Sequence, residues 1–258
     1  MTIAGQHDLP LTRLEGWMRD HIDGFRGPLA AEQFEGGQSN PTYKLLSGSG
    51  SYVVRRKPAG QLLPSAHAVD REYRVMGALS GTPVPVPEVY ALCENDSVIG
   101  SAFYVMEFLD GRIFWDPRLP GLSAAERRAM FQSMSTVIAA LHSVGYVEVG
   151  LADFAYHAMA WRVSPELFRG LAGVDLAALG IPTEDEYVGA YGARTNRGRS
   201  PDWEFYMVYS LFRLAAIMQG IAKRAIDGTA ASREAVELGR LARPVGEQAW
   251  ALARALGA

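Results

Sequence analysis

The chain has 258 residues, 48% of them hydrophobic, enough for one large domain or two lobes with a real core. Its 25 basic and 28 acidic residues leave a net charge of −3, without the basic footprint that binding to nucleic acid requires. No apolar run reads as long enough to cross a membrane, Met1–Pro10 lacks a basic stretch followed by an apolar one, and the single cysteine, Cys93, cannot close an internal disulfide, so the expected setting is a reducing cytoplasm with no membrane partner.

Leu11 to Asp23 reads as a first helix with Thr12 as N-cap, its apolar face carried by Leu11, Leu14, Met18 and Ile22. Gly27-Pro28 ends it, and Leu29 to Phe34 leads into a β-hairpin. The hairpin strands are Thr42–Leu46 and Tyr52–Lys57, with the small, polar Ser47–Ser51 as the turn. In front of it stands Gly36-Gly37-Gln38-Ser39-Asn40, two glycines that let backbone N–H groups approach a ligand and two side chains that can bond oxygen. Alternation along the second strand puts Arg55 and Lys57 on one face and Arg56 on the other. A Gly-rich turn followed by a strand cation is how kinase-like small lobes hold a nucleotide; an ordinary hairpin with a loose turn has the same pattern.

His67 to Leu79 reads as a helix capped by Ser65, with Val69, Tyr73 and Met76 in one apolar stripe and Glu72 beside it. Glu72 there either pairs with a strand cation or is a surface acid. The prolines of Gly81–Pro87 force an extended segment. Val89–Cys93 and Ala102–Glu107 are two more strands, and the second runs into Phe108-Leu109-Asp110-Gly111, a natural hinge. Ser123 and Glu126 form a capping box for a helix through His142, buried along Met130, Met134, Val137, Ile138 and Leu141, with His142 structural. Tyr146–Ala160 is a short connecting stretch, Leu167–Asp175 is loop-like, a helix runs from Ile181 through Tyr191, and Arg194–Pro201 is a polar connection. Trp203–Ile226 is the most regular helix, its apolar face expected along Phe205, Val208, Phe212, Ala215, Ala216, Gln219 and Lys223 and widened by Leu211, Leu214 and Met218. Asp227-Gly228 stops it, and Glu234–Leu256 is a last helix interrupted near Pro244.

With Gly-Gly-Gln-Ser-Asn, Tyr-Val-Val-Arg-Arg-Lys-Pro, Asp70-Arg71-Glu72-Tyr73, Tyr-Val-Met-Glu, Trp203-Glu204-Phe205-Tyr206-Met207 and Gln219-Gly220-Ile221-Ala222-Lys223 in hand, the chain resembles the aminoglycoside phosphotransferase and choline kinase-like family, in particular the kinase-like domain that in animals is fused ahead of an acyl-CoA dehydrogenase. The resemblance implies an α+β, protein kinase-like two-lobed fold. Residues 1–110 would be the nucleotide-binding lobe, an antiparallel sheet plus helix, and residues 111–258 a mostly helical lobe. It implies ATP, magnesium and a small-molecule hydroxyl as acceptor. Gly36, Gly37, Gln38, Ser39 and Asn40 would cover the phosphates. Arg55 would be the strand cation, with Lys57 as second candidate, and Glu72 its helix partner. Met106 would line the adenine pocket, with the Glu107 carbonyl and the Leu109 N–H on the adenine edge.

One part of the family pattern is missing. The His-Gly-Asp loop with its following Asn and the later Asp-Trp-Glu-type metal site follow no histidine here; His142 is followed by Ser-Val-Gly and His157 by Ala-Met-Ala. Roughly 80–90 residues are absent near 154–155 by comparison with the usual kinase order of loops. A single Leu151-Ala152-Asp153-Phe154-Ala155-Tyr156 stands where the family has two similar stretches, as an in-frame deletion between them would leave it. Asp153-Phe154-Ala155 is not read as the kinase magnesium site, since it comes 11 residues after His142; Asp153 remains the one acid that could reach the cleft by chance. The expectation is therefore no catalytic and no metal-binding residue, a chain inactive in this form or a nucleotide-binding scaffold, and self-association through apolar faces that lost their cover.

Overall fold

The computed structural model describes residues 9–34, 40–58, 68–144, 150–198, 200–228 and 234–257. The chain divides into two compact units, one up to Gly111 and the other made of Arg112–Ile226 and the residues from Glu234 on.

The first unit is a five-stranded antiparallel sheet with a helix on each face. Its strands are β1 (Ala30–Gln33), β2 (Thr42–Ser47), β3 (Gly50–Arg56), β4 (Val89–Cys93) and β5 (Phe103–Glu107), in the order β1-β2-β3-β5-β4. β2 and β3 pair from Thr42↔Arg55 to Ser47↔Gly50, so the strands close on the two residues Gly48 and Ser49, a tighter turn than the sequence suggests. Period-two alternation sorts the side chains. Tyr43, Leu45, Val54, Phe103 and Val105 form one face and pack with Leu14, Met18 and Ile22 of α1 (Leu11–His21). On the opposite face Ala102 and Tyr104 meet Val69, Tyr73 and Met76 of α2 (Val69–Leu79). Cys93 is buried and its thiol is pushed up by that burial, in keeping with a packing role.

The second unit is helical: α3 (Ala124–Ser143), α4 (Gly150–Ala158), a 3-10 turn at Met159–Trp161, α5 (Pro165–Phe168), α6 (Leu176–Leu179), α7 (Glu184–Thr195), α8 (Trp203–Ile226), α9 (Ala235–Arg240) and α10 (Ala242–Ala255). Both long-loop exits are capped reciprocally, Ser123 with Glu126 and Thr183 with Glu186. The core is aromatic. Phe154 stacks on Tyr191 at 3.8 Å between ring centres and 12° between planes, and faces Tyr187 and Trp203 at 5.6 Å each. Arg162, just past the 3-10 turn, clamps two helices: it donates from Nε to Glu184 and from Nη2 to Glu204 Oε1 at 2.9 Å, while its carbonyl accepts from Gln248 Nε2 at 2.6 Å. Trp203 Nε1 donates to Glu184 Oε1 at 2.9 Å, completing the junction of α7 with α8.

Several expectations are corrected. α1 begins at Leu11 behind Pro10, so Thr12 lies inside the helix and caps nothing. β1 was read as a lead-in because Ala-Ala-Glu-Gln has no strand signature; pairing with β2 alone makes it one. α4 runs through the stretch taken as a short connection, and α5 and α6 interrupt the one taken as loop. The break ahead of α10 is at Leu241, and Pro244 sits in the first turn, where its missing N–H has no intrahelical partner to lose. On α3 the buried positions are Phe131, Ser135, Ala139 and His142, one position on from the expected face; Leu141 is exposed. His142 is structural, through Tyr191: its Nδ1 lies 2.8 Å from the phenolic oxygen. On α8 the buried line is Trp203, Met207, Ser210, Leu211, Leu214, Met218 and Ile221; Phe205 and Phe212 are exposed. α8 is also long and apolar enough to cross a membrane by length and composition, with a mean hydropathy of 1.3 over its window, contrary to the reading that no run reaches that length.

Burial pulls the imidazoles of His142 and His157 below the ordinary value of 6.5. Both are held neutral in the folded state, so the stability they carry is complete above that value and is lost as pH falls through their folded values. Thermal unfolding between pH 7.5 and pH 5 should show a falling midpoint, and His157→Gln should flatten the slope; an unchanged slope would assign the acid sensitivity elsewhere. Glu184→Ala leaves the Trp203 indole without its acceptor and Arg162 with Glu204 alone, and should cost about 1–3 kcal/mol in chemical denaturation.

Candidate functional site

Alternation places Thr42, Arg55 and Tyr104 side by side on three neighbouring strands, all on the α2 face. α2 enters above them with Asp70 and Glu72 in its first turn, where the helix N-terminus favours negative charge. The Glu72 carboxylate is the common acceptor. Arg55 donates from Nε to Oε2 at 2.7 Å and from Nη2 to Oε1 at 3.4 Å, Tyr104 Oη donates to Oε2 at 3.0 Å, and Asn40 Nδ2 donates to Oε1 at 3.0 Å. Arg55 also donates from Nη1 to Thr42 Oγ1 at 3.0 Å, and that hydroxyl donates to the Asn40 carbonyl at 3.0 Å. Burial, and then the charge of Glu72, push the Tyr104 phenol far above its ordinary value, so it stays a donor.

The assembly borders an open recess of about 640 Å³. Arg55, Arg71 and Glu72 supply its charge, and Val75, Met76 and Met106 an apolar wall. A guanidinium has five N–H groups in a planar fork. Three of them are taken by Glu72 and Thr42, which leaves two without a partner among the described residues. A fork fixed on one side by a carboxylate and bare on the other can take a phosphate oxygen or another anion.

The sequence-derived residues fall into three groups. Arg55, Glu72 and Met106 converge on the recess. Asn40 is 3% exposed and its amide is spent on Glu72, so it braces the carboxylate where the sequence reading had it over the phosphates. Lys57 lies past the end of β3, its N–H bonded to the Ala102 carbonyl and its own carbonyl to Ser101 Oγ; the partner of Glu72 is Arg55. Glu107 pairs with Glu88 at the β4 edge through its N–H and its carboxylate, and Leu109 is exposed beyond the strand; neither lines the recess. Gly36, Gly37, Gln38 and Ser39 lie outside the described residues. The sequence reading missed Tyr104, Thr42 and Arg71. Tyr104 had a signal, since it stands two residues before Met106 on the same strand face.

ATP and magnesium have to be tested on these donors. The recess fits the phosphate part of a nucleotide. It does not fit a divalent cation: among the described residues no three His, Cys, Asp or Glu converge, and the carboxylate at the recess is filled by four donors. In the second unit Asp153 lies within α4, half-exposed, and its Oδ1 accepts from Arg213 Nη1 of α8 at 3.0 Å. The acid left open by the sequence is thus tied up, while Phe154 and Ala155 beside it are core.

Comparison with known proteins places this architecture. Acyl-CoA dehydrogenase family member 10 of Mus musculus is 32% identical over 336 residues, covering 96% of this chain and 31% of the mouse protein. Acyl-CoA dehydrogenase family member 11 of Homo sapiens is 41% identical over 156 residues, 59% of this chain and 20% of the human protein. The chain thus spans a third or less of these curated relatives. A crystal structure from Ralstonia eutropha JMP134, assigned as an aminoglycoside phosphotransferase, superimposes with a TM-score of 0.79 at 39% identity, over 96% of this chain and 99% of that one. The model of the phosphotransferase enzyme family, APH, matches residues 30–185, more than half of the sequence. With its five-stranded sheet, its α2 carboxylate–arginine couple and its helical second unit, the chain belongs to the phosphotransferase enzyme family.

Proposed function

We propose that this protein binds a nucleotide phosphate at the Arg55 recess and does not transfer the phosphoryl group in this form. The observation that carries the binding half is the Arg55–Glu72 couple, which holds a guanidinium fork against the recess with two N–H groups unpaired among the described residues. In this reading Arg55 takes phosphate oxygens, Glu72 and Thr42 fix its orientation, and Met106 with Val75 and Met76 supplies the apolar surface for a base. A base lying on Met106 and extending past the recess along β5 would meet the backbone of Glu107 and Leu109 with its edge.

The second half rests on what is missing. The alignment to the mouse relative runs over 336 positions against 258 residues here, so the relative carries a block of roughly 80–90 positions without counterpart. Phosphoryl transfer depends on metal-assisted charge neutralisation and on a base that orients the acceptor hydroxyl. No His-Gly-Asp sequence is present, and the described residues offer no set of metal ligands. The alternative, ATP-dependent transfer to a small-molecule hydroxyl, is supported by family membership.

Thermal unfolding with ATP or ADP, each with and without magnesium, separates the readings. A ligand at a hundred times its Kd adds about 2.7 kcal/mol. The expected result is a shift that does not need magnesium, together with no ADP release from ATP in the presence of candidate alcohols. A magnesium-dependent shift accompanied by turnover would establish the active reading instead. Glu72→Ala should abolish the shift and lower stability by about 1–3 kcal/mol, because Arg55, Asn40 and Tyr104 lose their acceptor. A full nucleotide shift in Glu72→Ala would move the binding site away from this recess.

A further inference from the structure

α8 carries two apolar lines. One is buried in the core of the second unit. The other, Phe205, Tyr209, Phe212 and Ala216, recurs at i, i+4, i+7 and i+11 on the opposite side, with its three aromatics 62%, 48% and 42% exposed. Ile217 is exposed at the edge of this face, and Gln219 and Lys223 continue it toward the helix C-terminus. Aromatic side chains bring 150–250 Å² each to an interface, so about half of each amounts to roughly 300 Å² of open aromatic surface on one helix face.

We propose that in this protein the face is covered by a second copy of the chain, α8 against α8 in antiparallel orientation about a two-fold axis near residue 214. The face is self-complementary in that arrangement. Its N-terminal half is large, Phe205, Tyr209 and Phe212, and its C-terminal half is thin, Ala216, Gln219 and the stem of Lys223. A two-fold axis sets Phe212 opposite Ala216, Tyr209 opposite Gln219 and Phe205 opposite Lys223, bulk against space at each level, as an isologous contact demands. A parallel pairing would set ring against ring and thin against thin. The area decides the strength: roughly 600 Å² of aromatic surface from two copies is below the 1,200–2,000 Å² of a stable complex, so the dimer is weak and concentration-dependent.

The test is sedimentation equilibrium of the full chain from about 5 to 200 µM, a range set by an interface of this size. The weight-average mass should rise from one chain of 28.1 kDa toward two. Phe205→Ser with Phe212→Ser should weaken association at least tenfold while the circular dichroism stays unchanged and the melt stays cooperative, since neither ring belongs to the buried line of α8. Trp250→Ser, on an exposed aromatic of α10, is the control and should leave the dimer intact. Chains with Tyr209→Cys mixed with chains carrying Gln219→Cys should cross-link faster than either alone, which fixes the antiparallel register; buried Cys93 does not compete. A monomer throughout the range overturns the proposal, and so does a dimer indifferent to the double serine variant. Flotation of the monomer with phosphatidylcholine–phosphatidylserine vesicles, abolished by the same variant, would overturn it in favour of a lipid surface.

Discussion

One carboxylate organises the first unit. Glu72 receives hydrogen bonds from three segments distant in sequence: Asn40 ahead of β2, Arg55 on β3 and Tyr104 on β5. An acid that accepts four donors is in effect satisfied without water, and the donors are charged or deeply buried, which makes each bond stronger than a neutral surface one. α2 is thereby pinned to the sheet by more than the apolar contacts of Val69 and Met76. Arginine at position 55 suits this geometry. A lysine ammonium reaches one acceptor well, whereas the planar fork of Arg55 reaches Glu72 and Thr42 together and still faces the recess.

The second unit shows how a helical lobe closes around a shortened chain. α4 continues without a break through the 154/155 junction, so the helical phase is kept and Phe154 arrives between Tyr187, Tyr191 and Trp203. The core is filled there, with Phe154 and Ala155 inaccessible to solvent. The imperfections lie around it: Tyr187 Oη, Ser210 Oγ and His157 Nε2 are buried without a hydrogen-bond partner among the described residues. Unpaired polar atoms and an exposed helix face thus stand beside a closed aromatic stack among the described residues.

Legibility in the sequence followed the strength of local rules. β2, β3, β4, β5, α1 and the Ser123 capping box rest on alternation, helical spacing and cap chemistry, and all were readable. The opposite facing of Arg55 and Arg56 was readable for the same reason: Arg56 is buried on the α1 side. α8 defeated the reading because it holds two apolar lines at helical spacing, and only the neighbours α4, α9 and α10 decide which is inside. Ser210 lies in the buried line and Phe205 and Phe212 in the open one, an inversion that hydrophobicity alone cannot foresee. Asn40 was assigned outward from its place in a Gly-rich loop; its inward turn depends on Glu72, 32 residues away.

The separation of fold from chemistry is energetic in origin. Fold information is spread over two cores, so a lost segment removes a fraction of it. Phosphoryl transfer concentrates its requirements in a few carboxylates and one base, so under the proposed reading the same loss would remove all of it. What remains at the recess is a fixed arginine against a polyanion. At an effective dielectric near 20, one close charge pair is worth at most about 4 kcal/mol before the costs of association, and the Glu72 carboxylate beside Arg55 offsets part of it. A triphosphate without its metal keeps most of its charge unneutralised, which opposes tight binding. If the recess takes a nucleotide as proposed, binding by Arg55 alone would be millimolar or weaker, and any micromolar affinity would have to come from base stacking on Met106. A comparison of ATP with inorganic triphosphate divides these contributions: equal affinity confines recognition to the phosphate, and a preference for ATP of tenfold or more assigns about 1.4 kcal/mol or more to the base.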